Sequence, residues 1–407
     1  MSTNIGSGHE GNVKDQINGY FSRVKGGEMG ALPSVISLIV LTALFAGLNP
    51  YFLTKLNFAN LFVQSATLMM LSMALVFVIL IAEIDLSAGV TSGLSMALFI
   101  ILTNKAHWDW RVSILMGFVV GIAVGYFIGF FVAKVGVPSF VVTLGLFLGF
   151  QGLQLALLGD GGLYRLEVPE LNAIMNNNMP AIGGWLMIGI FLVLTAMLNM
   201  YDRRRRAKSG LANRPIVLTF VKLGLMAVLG GAFVAVLNEN RSVSANGLSG
   251  VPIVIPMALT ILFIGTIVLD RTRFGRHLYA VGGNPEAARR AGIKVAKIRI
   301  SAFVICSALS VVSGIFNASR IGAVEATAGK SIVLPGVAAA VVGGVSLFGG
   351  RGRLAHAAVG AVVISIIDNG LGLLGLPSGI NFLVTGGVLI LAATVDAVSR
   401  KRAGSAK

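Results

Sequence analysis

Apolar residues in this chain come in long uninterrupted blocks, separated by short polar stretches. Twelve such blocks stand at approximately 32–53, 60–82, 87–103, 112–134, 138–158, 183–200, 214–237, 252–270, 299–319, 333–349, 354–374 and 379–397. About 17 to 25 apolar residues cross ~30 Å of hydrocarbon as a helix. The pattern therefore predicts an all-α fold, a polytopic membrane bundle of ten to twelve transmembrane helices, some broken or re-entrant. The tenth block is short, and the second and third nearly touch at "EIDLSAG". The expected organisation is a polar tail over 1–31, a transmembrane domain over 32–398 and a second tail over 399–407. The first tail lacks the apolar core of a secretory signal, so the first block is expected to be a retained span.

Composition agrees with the pattern. The chain is 56% hydrophobic and 12% charged, with mean hydropathy +0.87, against roughly 25% charged residues in soluble domains. Its 52 glycines suit close helix packing in lipid. The net charge of +16 raises nucleic acid as a partner, but the cations lie in short loops and no basic face with interleaved aromatics exists. With the N-terminus inside, the cytoplasmic segments hold 24 of the 32 Lys and Arg and the outer loops 7, while Lys222 falls in a span. This bias places both termini in the cytoplasm. The arginine run at 203–206 reads as a topology anchor or a contact with anionic membrane lipid.

One polar interruption carries a complete local code. In "GGNPEAARRAGI", Asn284 is a favoured N-cap and Pro285 suits the first helical position. Glu286 lies in the first turn, where the helix dipole favours a carboxylate, and Arg289 and Arg290 lie toward the last turn. Gly292 supplies a left-handed C-terminal position. A helix of about two turns needs a surface to rest on. By these residues alone it is either a connector lying on the membrane or a docking element for a cytoplasmic partner.

Motifs for enzyme chemistry are missing. "EATAGKS" resembles a phosphate-binding loop, but the position of its first glycine is Val324. The four histidines form no metal-binding pair, the single Cys306 cannot make an internal disulfide, and no G-x-S-x-G elbow appears. No metal site and no catalytic residue is expected. Ionisable groups in or beside spans carry more, because hydrocarbon makes them costly. Lys222 is read as snorkelling or paired, and Asp396 as touching the interface. Glu83, Asp85 and Asp368, with neighbouring Ser87 and Asn369, line a polar path or cap broken helices. Asp85 before Ser87 and Gly89 looks like a helix start. Gly121, Gly125 and Gly129 recur every fourth residue, as do Gly145 and Gly149, and close packing accounts for both rows. "VVGGVSLFGGRGR" predicts an interrupted helix. A stand-alone proton-coupled transporter using Glu83, Asp85 or Asp368 is the alternative these residues leave open.

Taken together, "AEIDLSAG" (82–89), "VPSFVVTLG" (137–145), "AVGGNPEAARRAGI" (280–293), "VVGGVSLFGGRG" (341–352) and "DNGLGLLG" (368–375) resemble the permease subunit of bacterial monosaccharide ABC importers, nearest the xylose and multiple-sugar branch. The resemblance implies a permease of the bacterial inner membrane that works as a pair on two cytoplasmic ATPases and is loaded by a periplasmic sugar-binding protein. ATP and Mg would belong to the ATPase, with no cofactor on this chain. It implies that 271–299 is a coupling loop, with the helix at 285–291 docking in the ATPase, and that 159–251 is an insertion carrying an extra span pair. One departure stands out: "SIVLPGVAAA" (331–340) replaces the acidic run common in the family, which bears on the choice of sugar.

Overall fold

A computed structural model describes residues 32–159, 161–211, 213, 215–242 and 247–405, with the side chains of residues 396 and 399–405 excepted. The tail at 1–31, the side chain of Asp396 and residues 406–407 lie outside the described residues.

The helices, in chain order, are α1 (Leu32–Leu48), α2 (Lys55–Ile79), α3 (Ala88–Ile100), α4 (Trp110–Phe130), α5 (Ser139–Leu158), α6 (Pro169–Asn176), α7 (Ala181–Lys208), α8 (Ile216–Asn238), α9 (Val254–Arg271), α10 (Arg273–Gly283), α11 (Pro285–Arg290), α12 (Val295–Ile321), α13 (Val333–Val342), α14 (Leu354–Leu373) and α15 (Ser378–Ser405). A wider turn extends α3 to Lys105 and another extends α4 to Val135. Strands β1 (Leu163–Arg165) and β2 (Ala323–Glu325) pair antiparallel, with Tyr164 opposite Val324.

Among the described residues, ten helices are long and apolar enough to cross a membrane. The other two predicted blocks form α1, of 17 residues, and α13, of only 10. The short tenth block is thus a half-length helix. Gly343 and Gly344 follow it, Gly344 with φ of 98°, and the chain runs without helix to Arg353.

Two bodies divide the described chain. In the larger, α12 is the central element and packs on α2, α3 and α4. The glycine row of α4 explains that approach. A Cβ on Gly125 would overlap the Phe303 carbonyl, and one on Gly129 would stand 2.7 Å from the Ile300 Cα. The second row has a different fate. Gly145 and Gly149 have nothing within 4 Å, so packing inside this chain does not account for them. A second core joins α1, α2, α13 and α14 through Phe45, Leu68, Ala339 and Ile364. The remaining body, Asn178–Val251, holds α7 and α8. Gly184 meets Val234 there, and the buried Arg241 guanidinium donates to the carbonyls of Leu237 and Gly250, closing the end of α8.

Candidate functional site

The first site is the break between α2 and α3. Helix α2 stops at Ile79, and Ala82 takes φ of 60°, a conformation uncommon for a residue with a Cβ. Extended backbone then carries Glu83, Ile84 and Asp85 to the start of α3. Side chains of α5 fasten it: Ser139 Oγ accepts from the Ile84 N–H at 3.3 Å, and Thr143 Oγ1 donates to the Ile84 carbonyl at 3.4 Å. Glu83 pairs with Arg299 at 3.5 Å. Asp85 is fully buried, and its Oδ1 accepts from Ser87 N at 2.9 Å and Ser87 Oγ at 2.6 Å. It thus closes the turn that leads into α3, while Ser87 occupies the N-cap without a side-chain capping bond. The carboxylate also lies against Cys306. That residue is the twelfth of α12, about 17 Å from its start at 1.5 Å per residue, so α3 begins deep within the span. Non-helical backbone at such depth persists only where protein buries it or a cavity wets it.

A second irregular segment meets the first. After β2 the chain turns back, and Gly329, with φ of 83°, sits directly on Gly89 of α3. A Cβ at either glycine would overlap the other's carbonyl oxygen. The Ala328 carbonyl likewise fills the space beside Gly93. This contact is what the glycine of "AGKS" does here. Near it lies a crevice of about 10 Å³ lined by Ser92, Gly93, Met96, Asn317 and Ala328, room for about one water.

The elements flanking the break carry buried polar atoms lacking partners, namely Thr67 Oγ1, Thr91 Oγ1, Ser95 Oγ, Gln154 Oε1 and Ser307 Oγ, while the Asp85 carboxylate has Cys306 beside it. An unsatisfied buried group costs about 1–3 kcal/mol, so five on these four helices are unusual in a finished core. Sequence reading reached Asp85 and Ser87 and missed the rest. Hydroxyls inside apolar helices carry no periodic signal, and only folding brings α2, α3, α5 and α12 together here.

The second site is α10–α11. Asn284 Oδ1 accepts from Ala287 N at 2.9 Å, and Pro285 is the first helical residue. Gly292, with φ of 82°, donates to Arg289 O at 3.0 Å, while Ile293 N donates to Ala288 O at 3.0 Å. Both ends of α11 are therefore closed by its own atoms. Glu286 pairs with Arg289 at 3.4 Å and Arg290 at 3.3 Å, and all three remain well exposed.

Beneath α11 lies a junction the sequence did not reveal. Leu80 O, at the end of α2, accepts from Gly350 N at 2.8 Å. Gly282 packs so closely on the same carbonyl that a Cβ would overlap it, and Gly349 is fitted against Ala82. Tyr279 adds a further tie, donating to Gly352 O at 2.7 Å. Burial pushes the phenol up to about 12, with Asp270 adding to the rise and Arg353 opposing it, so the hydroxyl stays a donor at physiological pH. The residues before α11, the α2–α3 break and the glycine-rich loop therefore form one connected block.

Asp368 and Asn369 are not part of either site. Asn369 forms a reciprocal amide pair with Asn57, both bonds 2.9 Å, near the far end of α2. Its amide ties α14 to α2, whereas Asp368 is exposed. Among the described residues no cluster of three His, Cys, Asp or Glu could hold a metal.

Ten candidate spans among the described residues, a buried helix break before α3 and a short helix capped at both ends suit a membrane transport permease. The chain belongs to the family described as the permease component of branched-chain amino acid transport systems, which its residues 57–393 match. It is 31% identical over 369 residues to the xylose transport system permease protein of Haemophilus influenzae, covering 90% of this chain and 96% of that one. The xylose transport system permease protein of Escherichia coli K12 is 30% identical over 386 residues, 95% of this chain and 96% of the relative. The ribose import permease protein of Bacillus subtilis is 30% identical over 370 residues, 91% and 94% of the two chains. No solved structure matches.

Proposed function

We propose that this chain is the permease subunit of an ATP-driven importer that carries a xylose-like or related monosaccharide across the bacterial inner membrane, with both its termini in the cytoplasm. The observation that carries the cargo class is the set of buried, unpartnered hydroxyl and amide oxygens on α2, α3, α5 and α12. Such a set offers donors and acceptors without net charge of its own, which suits a neutral polyhydroxyl molecule. Its relatives named for xylose and ribose point the same way. A periplasmic binding protein delivers the sugar, two copies of the chain form the pathway, and cytoplasmic ATPases supply ATP hydrolysis with Mg. The exposed α11 docks in the ATPase, with Asn284, Pro285 and Gly292 holding its shape and Glu286, Arg289 and Arg290 making contact. Motion of α11 reaches the α2–α3 break through Gly282 and Leu80.

Proteoliposomes holding the permease with a candidate sugar-importer ATPase and binding protein from the same organism test this. ATP-dependent uptake of labelled xylose, ribose or arabinose is the expected result. Uptake by the permease alone, driven by a pH gradient, would instead make it a secondary transporter. For α11, the double variant E286R/R289E is expected to abolish co-purification of the ATPase while leaving the permease folded. Unchanged co-purification and unchanged sugar-stimulated hydrolysis would remove α11 from the docking surface.

A further inference from the structure

A cleft of about 650 Å³ opens beside α11, between the end of α4 and the start of α12. Lys134, Arg289, Lys294, Lys297 and Arg299 line it. Two carboxylates answer these cations, Glu83 at Arg299 and Glu286 at Arg289. Among the described residues no carboxylate pairs with Lys134, Lys294 or Lys297, all three of which are exposed. Arg299 keeps a buried Nε with no acceptor. Lys294 holds the N-cap of α12 without a side-chain capping bond, and the first residues of that helix line the same cleft. The cleft thus gathers donors and positive charge, with three of its five cations lacking a carboxylate counterpart.

Its remaining wall is apolar, from Tyr126, Ala133 and Ile300. Tyr126 also belongs to an exposed stripe on α4. Leu115, Val119, Ile122, Tyr126 and Phe130 follow one another at three- and four-residue steps, so they share one face of a spanning helix. The stripe runs along the span and ends at the basic cleft. A free phosphate would use only the cations; a molecule with an anionic head and hydrocarbon tails uses both features.

We propose that this cleft binds the phosphate of an anionic membrane phospholipid, with an acyl chain lying along the α4 stripe. None of the cleft's lining residues belongs to the arginine run at 203–206, and the site stands on the spanning helices and the cleft without requiring any transported substrate. Because Arg289 belongs to both α11 and the cleft, a bound headgroup adjoins the helix proposed to dock the ATPase.

Full-length permease, stripped of lipid in neutral detergent, is titrated with phosphatidylglycerol or phosphatidylcholine and read by native mass spectrometry. The expected result is preferential retention of one phosphatidylglycerol per chain. The triple variant K134Q/K294Q/K297Q weakens that retention roughly 100-fold at low salt, at about tenfold or less per lysine, and leaves phosphatidylcholine unaffected. The triple Lys→Arg variant keeps it. On unmodified protein, photoactivatable phosphatidylglycerol labels peptides containing Tyr126, Lys134 or residues 294–297. Equal retention of the two lipids, wild-type retention by the Gln variant, or labelling confined to other peptides would overturn the proposal. Displacement by glycerol phosphate at concentrations equal to the lipid would assign the cleft to a soluble phosphate. Loss of ATPase co-purification in the Gln variant with unaltered lipid retention would assign it to protein docking.

Discussion

At the scale of single residues, two neighbouring glycines separate a structural requirement from mere composition. Gly282 lies against the Leu80 carbonyl with no room for a methyl group, whereas Gly283 has nothing within 4 Å of a built Cβ. Gly282→Ala is therefore expected to lower the thermal midpoint and sugar uptake, and Gly283→Ala to leave both near wild type. Overpacking of this kind costs about 1–3 kcal/mol. The cap at Asn284 gives a second contrast. Replacing it with Ala removes a capping bond worth about 1 kcal/mol. Amide exchange across 285–291 should then run roughly fivefold faster, at 1.4 kcal/mol per factor of ten. The shape of α11 was legible in twelve letters, because capping, dipole and left-handed closure are local. The role of Gly282 was not, since its partner lies some two hundred residues earlier and two adjacent glycines look alike in a string.

At the scale of elements, the packing of α4 on α12 and the openness of α5 make opposite forecasts for similar glycine rows. Gly125→Ala drives a methyl into the Phe303 carbonyl and the Val304 Cα and is expected to reduce the yield of folded permease and its thermal midpoint. Gly145→Ala, on a face with no neighbour in this chain, is expected to leave the thermal midpoint unchanged. A period of four predicts a flat face and says nothing of what covers it, which is why the sequence treated the two rows alike. Span positions were readable for the same reason that span partners were not: hydropathy reports the solvent around a segment, and lipid is the same solvent for every helix. The two blocks that fell short of full length, α1 and α13, show where that signal weakens. Asp85 is intermediate. Its place before Ser87 announced a helix start, but its depth against Cys306 depended on where α12 stood.

For the whole molecule, the connected block of Leu80, Gly282, Gly350 and Tyr279 joins the projecting helix to the inner break with little slack. Glu83 and Arg299 brace it from the side. Glu83→Gln leaves the Arg299 guanidinium with one weaker neutral partner in a half-buried setting. The expected outcome is a permease that folds and binds its ATPase but shows basal hydrolysis less responsive to sugar-loaded binding protein. Stimulation equal to wild type would separate the brace from coupling. The Gly89–Gly329 contact belongs at this scale too, since it joins the first turn of α3 to the turn after β2, distant parts of the chain.

Closure of α11 by its own atoms also has a kinetic meaning. A loop that becomes helical only on contact must find its shape during the encounter, and that search slows association. Here Asn284 at one end and Gly292 at the other have already removed the search, so little ordering entropy is left to lose when a partner arrives. Permease and ATPase are then expected to associate at a rate governed by diffusion and charge, with release set by the few side chains that touch. Asn284→Ala should slow the on-rate while leaving the lifetime of the formed complex nearly unchanged, a split that surface plasmon resonance on detergent-solubilised permease can read directly.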